Sequence, residues 1–209
     1  MKKKIVKTFL CSVMLLGGMV IKAQAQKIIL NREVTTADGD KLLLGRQSLD
    51  KFYTEPYQTW YNEEHDAYVV DQELIKQLRR HKLNTFKIKA FVGTWCEDSH
   101  REFPRLVRIL ESAHYPIKNL EITAVSEKFE SPDGQEVLNH ISKIPTFIFY
   151  KYGREIGRIT EAPQSGFLEK DMLDIVTRIS KVKVKKEKVK KERIRKTKKN
   201  RKNKTSDVE

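Results

Sequence analysis

Cysteine is nearly absent from this chain, with two in 209 residues, Cys11 and Cys96, so a small domain knitted together by disulfides is excluded. Glycine (9) and proline (6) are also sparse, which excludes a collagen-like or Pro/Gly low-complexity chain. No heptad of apolar residues is sustained, so the chain is not a coiled coil. The histidines (His65, His81, His100, His114 and His140) show no metal-ligand spacing with one another or with Cys96. No structural zinc is expected from them. The chain also lacks a Gly-rich phosphate loop and a Gly-x-Ser-x-Gly elbow, and no cofactor is expected.

Charge is abundant, and it is unevenly placed. The formal net charge is +14, but the first 26 residues hold five lysines and no acid, and residues 181–209 carry 15 Lys plus Arg against four acids. Between these basic ends lies a stretch of about 150 residues that is close to neutral, long enough to bury a core. The excess positive charge therefore describes the ends and not the chemistry of the middle.

Lys2, Lys3, Lys4 and Lys7 precede an apolar run from Phe9 to Ile21, and Ala23-Gln24-Ala25 supplies small residues two apart. This pattern predicts a secretory signal over 1–25, cleaved after Ala25, with an uncleaved anchor as the alternative; once it is cleaved, no integral membrane span is expected. Cys11 lies within the apolar run, lacks the flanks of a lipid-modified cysteine, and would leave with the signal. Cys96 is then the lone thiol of an exported chain, in the periplasm, cell envelope or outside the cell. Such a thiol is buried and inert, paired with another molecule, or reactive.

Along the mature chain the sequence predicts N-terminal strands and an aromatic-rich extension over 26–70. Short strands are expected at Ile28 to Leu30 and, after Asp38-Gly39, at Lys41 to Leu44. Phe52, Tyr53, Tyr57, Trp60, Tyr61 and Tyr68 then crowd into 17 residues, which reads as core or as a cover over a sheet, with a stacking surface for sugars or bases as the alternative. Asp71 can cap a helix whose Leu74, Ile75 and Leu78 share a face. Phe86, Ile88, Ala90 and Val92 form a strand that runs into the core, and Phe103, Leu106, Val107 and Leu110 recur at helical spacing. Cys96 falls at the junction between them. A strand (Leu120 to Val125), a short helix (Gln135 to Ile141), a hairpin turning at Tyr152-Gly153-Arg154 and a last helix from Leu168 follow. The expected class is α/β, a mixed sheet with helices on both faces, and the main domain spans 71–180.

Four matches in this order make the chain resemble the thioredoxin superfamily. Trp95-Cys96-x-x-Ser99 stands where the family has Trp-Cys-x-x-Cys, at a helix N-terminus whose free N–H groups favour a thiolate. Pro104 stands where the family kinks that helix. Ile144-Pro145-Thr146 matches the cis-proline loop, and Phe147 to Ile159 matches the closing hairpin. The Gly-Thr-Trp-Cys-x-Asp-Ser wording is similar to secreted thioredoxin-like proteins of Bacteroidetes type. The resemblance implies a thioredoxin fold with Cys96 as nucleophile and Pro145 in the loop against the sulfur; Ser99 either donates a hydrogen bond to the sulfur across the first turn or is a helix-start residue without chemistry. It also implies that Trp95, Ile144 and Thr146 align an extended client. Two departures limit it. Ser99 replaces the second cysteine, so a mixed disulfide must be resolved by an outside thiol, and Ala90 replaces the family's buried carboxylate. Glu97 and Asp98 are candidate tuning groups, although their charge opposes a thiolate. His100, at i+4, either tunes the thiol or is a solvated helix residue. The Gly-Phe wording of cluster-binding monothiol glutaredoxins is absent.

These readings converge on thiol–disulfide exchange through one cysteine, serving cell redox homeostasis, with client proteins or low-molecular-weight thiols as disulfide partners. The alternative is a redox-inactive binding module that holds extended polypeptides at its sheet edge. For 181–209 the composition predicts a helical extension followed by disorder. Residues 181–204 either solubilise the chain or adhere to an anionic envelope surface; for an exported chain nucleic acid is not the expected partner.

Overall fold

The computed structural model describes residues 29–178. The predicted signal over 1–25 with Cys11, and the predicted basic tail over 181–209, lie outside the described residues.

Six strands form one sheet in the order β1-β2-β4-β3-β5-β6. Strands β1 (Arg32–Thr35) and β2 (Lys41–Gln47) make an antiparallel hairpin, and β2 runs antiparallel to β4 (Leu120–Ala124). The centre is β3 (Lys87–Val92), parallel to β4 and antiparallel to β5 (Thr146–Lys151), which turns back into β6 (Arg154–Thr160). The β5–β6 turn is tight because Tyr152 and Gly153 both take positive φ, at 53° and 72°. A parallel β3–β4 pair followed by an antiparallel hairpin is the strand arrangement of the thioredoxin fold, as the sequence implied.

Helix α1 (Gln58–Ala67) begins just after Pro56, and α2 (Gln72–Arg80) begins at Asp71. The Asp71 carboxylate accepts the Glu73 and Leu74 N–H groups at 2.8 and 3.0 Å, satisfying two donors that an uncapped helix would leave unpaired. The 16-residue α3 (Glu97–Ser112) carries Pro104 in its buried interior, where the ring can donate no N–H to the preceding turn. The four-residue α4 (Gln135–Leu138) and a last helix, α5, over 168–178 follow.

Strand alternation sorts the core. Ile88, Ala90 and Val92 of β3, Ile122 and Ala124 of β4, and Phe147 and Phe149 of β5 point to one face, where α1, α2, α3 and α5 pack. Phe91 and Ile148 point to the other, against Val125, Ile144 and the partly buried Trp95, Phe129 and Ile141. The expectation of helices on both faces is thus met unequally: the second face is covered by the 125–144 segment, whose one helix is α4.

Three sequence expectations are corrected. Among the described residues the first strand is Arg32–Thr35, which pairs with β2; of the expected Ile28 to Leu30, Ile29 and Leu30 are exposed and in no strand, and Ile28 lies outside the described residues. The helix expected over 135–141 closes at Leu138 because His140 turns to a φ of 52°. The division at residue 70/71 is no seam. Leu43, Phe52, Tyr57 and Tyr61 share one buried cluster with Phe103, Leu106 and Phe147, so the N-terminal segment belongs to the domain's own core. The aromatic crowd therefore packs, with Phe52 at its centre, 4.8 Å from the Phe103 ring.

Candidate functional site

The last three residues of β3, Ala90, Phe91 and Val92, are buried on both faces of the sheet, which makes the end of the strand continuously apolar. Gly93-Thr94-Trp95 then lead to Cys96, the N-cap of α3. Cys96 has an extended backbone (φ −102°, ψ 119°), and its carbonyl accepts the His100 N–H at 3.0 Å, so α3 starts at this residue. Its side chain makes no capping hydrogen bond. The half-buried thiol is free and faces the Ile144 carbonyl oxygen at 4.0 Å. The Ile144–Pro145 peptide is cis. Cysteine and loop are thus juxtaposed from positions 48 residues apart, at the carboxyl end of the two parallel strands, where open α/β sheets expose ligand sites.

Three hydrogen bonds, two of them buried, hold this junction. Gly93 donates its N–H to Ser99 Oγ at 3.1 Å, Leu43 N–H donates to Thr94 Oγ1 at 3.1 Å, and Trp95 Nε1 donates to the Val125 carbonyl at 3.0 Å. Ser99, at 1 % exposure, accepts the Gly93 N–H, and among the described residues no hydrogen bond joins its hydroxyl to the sulfur. A hydroxyl buried in the first turn is drawn to the nearest strand-end amide, which it satisfies in place of water. Ser99 positions the turn.

The reading of His100 as a solvated helix residue is also corrected. Its ring stacks on Trp60, centroids 4.2 Å apart and planes 14° from parallel, and Nε2 lies 2.9 Å from the Thr94 carbonyl oxygen. A carbonyl can only accept, so Nε2 donates to it. His100 thereby ties the second turn of α3 to the residue two before the thiol. Of the acidic candidates, Glu97 is exposed, and Asp98 pairs with Arg101 at 2.7 Å. Arg101 also bonds the buried Glu102 at 2.8 Å, and that hydrogen bond, with Asp98 second, raises the guanidinium above its ordinary value. Much of the Asp98 charge beside the sulfur is therefore already partnered.

The residues expected to meet a client divide. Trp95 is half-buried and flanks the thiol. Ile144 is 5 % exposed, so what it presents is main chain. Its N–H and C=O take part in no backbone–backbone hydrogen bond among the described residues. Pro145 is buried, and Thr146 is buried with its hydroxyl donating to the Lys143 carbonyl at 2.7 Å, so both shape the loop from beneath. Ala90, at the position where a carboxylate would lie under the site, is fully buried among apolar side chains. Among the described residues no group of three or more His, Cys, Asp or Glu is placed to hold a metal ion, and no helix is long and apolar enough to cross a membrane.

Sequence reasoning passed over Gly93, Thr94 and Trp60. Gly93 had a local signal, a glycine ending a β-strand just before the site. A Cβ there would lie 2.5 Å from Ile144 Cδ1 and 2.8 Å from Trp95 Nε1, so the glycine is what lets the cis-proline loop close over the strand. Gly93→Ala is expected to cost about 1–3 kcal/mol by overpacking. It should also raise the alkylation rate of Cys96, because Ile144 and Trp95 must move off the sulfur. Thermal melts and iodoacetamide labelling check both, and an unchanged melt with unchanged labelling would show that the loop gives way freely.

No protein-family model matches the chain, and no curated protein matches it. Among solved structures it is similar to a protein of unknown function from Pseudomonas aeruginosa, at 16 % identity over 62 % of this chain and 87 % of that one, with a TM-score of 0.45. Mitochondrial thioredoxin 3 from Saccharomyces cerevisiae superposes at 25 % identity over 48 % of this chain and 89 % of that one, TM-score 0.32. Fasciola hepatica thioredoxin does so at 20 % over 51 % and 90 %, TM-score 0.32. These scores are low, and the fold assignment rests on the strand order and registers given above.

Proposed function

We propose that the protein carries out thiol–disulfide exchange through Cys96 acting alone. The observation that supports this most directly is the free, half-buried thiol at the N-cap of α3, facing a loop whose Ile144 main chain is unpaired by backbone. The Cys96 thiolate attacks one sulfur of a client disulfide. The client S–S bond breaks as the new S–S bond forms, and the second client sulfur departs as a thiolate that takes up a proton from water. A thiol from outside, low-molecular-weight or a cysteine of the client, then attacks the mixed disulfide and releases Cys96. The Ile144 N–H and C=O, in no backbone–backbone hydrogen bond among the described residues, can pair with an extended client.

Export by a signal over 1–25 to the periplasm or envelope is part of the same proposal, as are disulfide-bearing client proteins or small thiols as partners. Residues 181–204 are proposed to adhere to an anionic envelope surface through their Lys/Arg surplus.

The test uses the chain with Cys11→Ser, so that one thiol remains. Iodoacetamide at neutral pH is expected to label Cys96 faster in the native chain than in the same chain unfolded in urea, because only the fold supplies the helix N-terminus. Labelling that appears only after unfolding would overturn the exchange reading and leave the binding module, which the buried, amide-bound Ser99 favours.

A further inference from the structure

Beside the thiol lies a cleft of about 710 Å³, within the range of built ligand sites. Three separate stretches wall it: the β1–β2 turn with Asp38, Asp40 and Lys41, the start of α1 with Tyr57 and Trp60, and the loop after β4 with Glu127, Lys128 and Glu130. Its inner wall is the Cys96 junction itself, through Thr94, Trp95 and His100. The Trp60–His100 stack and the Trp95–Val125 hydrogen bond fix that wall.

The charge on the rim is one-sided and internally unanswered. Among the described residues none of the four carboxylates Asp38, Asp40, Glu127 and Glu130 takes part in an ion pair, although they come from two different loops. Of the two ammonium groups, Lys41 is engaged by Glu33 at 3.3 Å, which leaves Lys128. Four carboxylates against one ammonium outside any ion pair leave the rim with a net negative charge. A cation brought between them offsets that charge and is drawn toward the cleft before contact.

We propose that this cleft selects the client: the polypeptide engaged by Cys96 carries lysine or arginine beside its reacting cysteine, and those side chains lie between the two acidic loops with their aliphatic stems against Trp60 and Trp95. This deepens the exchange reading above and rests on it for the word client; the preference of the cleft for a cationic segment stands on its own geometry. The alkyl stems and planar head groups of Lys and Arg suit an aromatic wall under an acidic rim. Trp95 is shared by the cleft and the thiol, so one segment can occupy both.

The chain's two tryptophans, Trp60 and Trp95, both line the cleft, so tryptophan fluorescence, excited selectively over tyrosine, reports on it. The probes are the peptides Gly-Lys-Ser-Lys-Gly and Gly-Glu-Ser-Glu-Gly for binding. The same pair with cysteine for serine, each as its mixed disulfide with mercaptoethanol, serves for exchange. Exchange rates with the full Cys11→Ser chain are divided by those with free mercaptoethanol, which removes the peptides' own difference in reactivity. The lysine peptide is expected to perturb the fluorescence at about tenfold lower concentration than the glutamate peptide at low ionic strength, with the difference fading in molar salt. Asp38→Asn/Asp40→Asn/Glu127→Gln/Glu130→Gln should abolish the preference. Lys128→Gln should enlarge it, and Lys118→Gln, which makes the same change in net charge before β4 at the opposite end of the sheet, should leave it alone.

The outcomes separate the two claims. A binding preference with no exchange by either disulfide supports the cleft and sinks the exchange reading. Equal normalised exchange with no binding preference overturns the cleft and leaves exchange standing. A fluorescence change produced by the fourfold variant without peptide, in a chain that ignores the lysine peptide, overturns the proposal by giving the cleft to the chain's own residues 181–204. Should the fourfold variant not fold, an identical response of the Lys128→Gln and Lys118→Gln chains overturns it.

Discussion

Cys96→Ser, made in the Cys11→Ser chain, is expected to abolish mixed-disulfide formation with hydroxyethyl disulfide altogether while leaving the thermal melt within a few degrees of the parent. The loss is complete because a serine hydroxyl forms no disulfide and no other cysteine remains. The melt barely moves for a reason visible at the helix start. Cys96 makes no capping hydrogen bond, and serine is among the preferred N-cap residues, so the substitution can add a bond to a free N–H of the first turn. What is forfeited is the weak contact between the thiol and the Ile144 carbonyl at 4.0 Å and the packing of a partly buried sulfur against the cluster of Phe91, Val125, Ile144 and Ile148. Mass spectrometry after incubation with the disulfide reads the first effect and calorimetry the second. Residual mixed disulfide in the variant is chemically barred, so the informative comparison is with partners: a binding module keeps them through the Ile144 main chain, whereas an exchange protein loses its covalently trapped clients. Clients recovered equally with both chains would sink exchange as the basis of partner capture.

The parts of this site that were legible in the sequence are those fixed by neighbours in the chain. The placement of Cys96 followed from the change in apolar period between Ala90 and Phe103, because alternation must give way to helical spacing where a strand hands over to a helix. Asp71 could be named as a cap because its carboxylate needs to reach only two and three residues onward. Ile144-Pro145-Thr146 was placed by motif. What the sequence did not reveal depends on distant residues. The spacing of His100 puts it one turn beyond the thiol, but its conversion from a surface residue to a stacked one is due to Trp60, 40 positions earlier. The Ser99 hydroxyl lies three residues after a sulfur and six after an amide, and it is the close approach of strand and helix at Gly93 that lets its oxygen accept the Gly93 N–H. The acidic cleft was invisible for the same reason: Asp38 and Glu127 share a rim because β2 pairs with β4, a register no local pattern encodes.

That long-range dependence reaches the aromatic segment, where the largest stability effect is expected. Phe52→Ala should lower stability by about 3–5 kcal/mol, as for other fully buried phenylalanines cut to alanine. For a domain of this size that corresponds to a melting temperature lower by about 10 °C or more. Phe52 is fully buried, and its ring lies 4.8 Å from Phe103 of α3, 6.1 Å from Trp60, 6.2 Å from Tyr61 and 6.4 Å from Tyr57. Its removal opens a void between α1 and α3 that these rings, Trp60 edge-on to Phe52 and the other three tilted to it, can fill only by giving up their mutual contacts. Trp60 borders that void on one side and stacks on His100 on the other, so the loss propagates to the hydrogen bond between His100 and the Thr94 carbonyl, two residues before the thiol. The variant should therefore also change the Cys96 alkylation rate at temperatures where it is still folded. Tyr53→Ala is the matched control. Tyr53 is 41 % exposed and touches the cluster only through the Tyr61 edge at 5.2 Å, so its cost should stay below about 1.5 kcal/mol, with Cys96 labelling unchanged. Equal melting temperatures for the two variants would show that the 52–68 segment covers the domain without holding it together. A large loss at Phe52 alone makes the N-terminal segment the support on which the α3 cysteine is set.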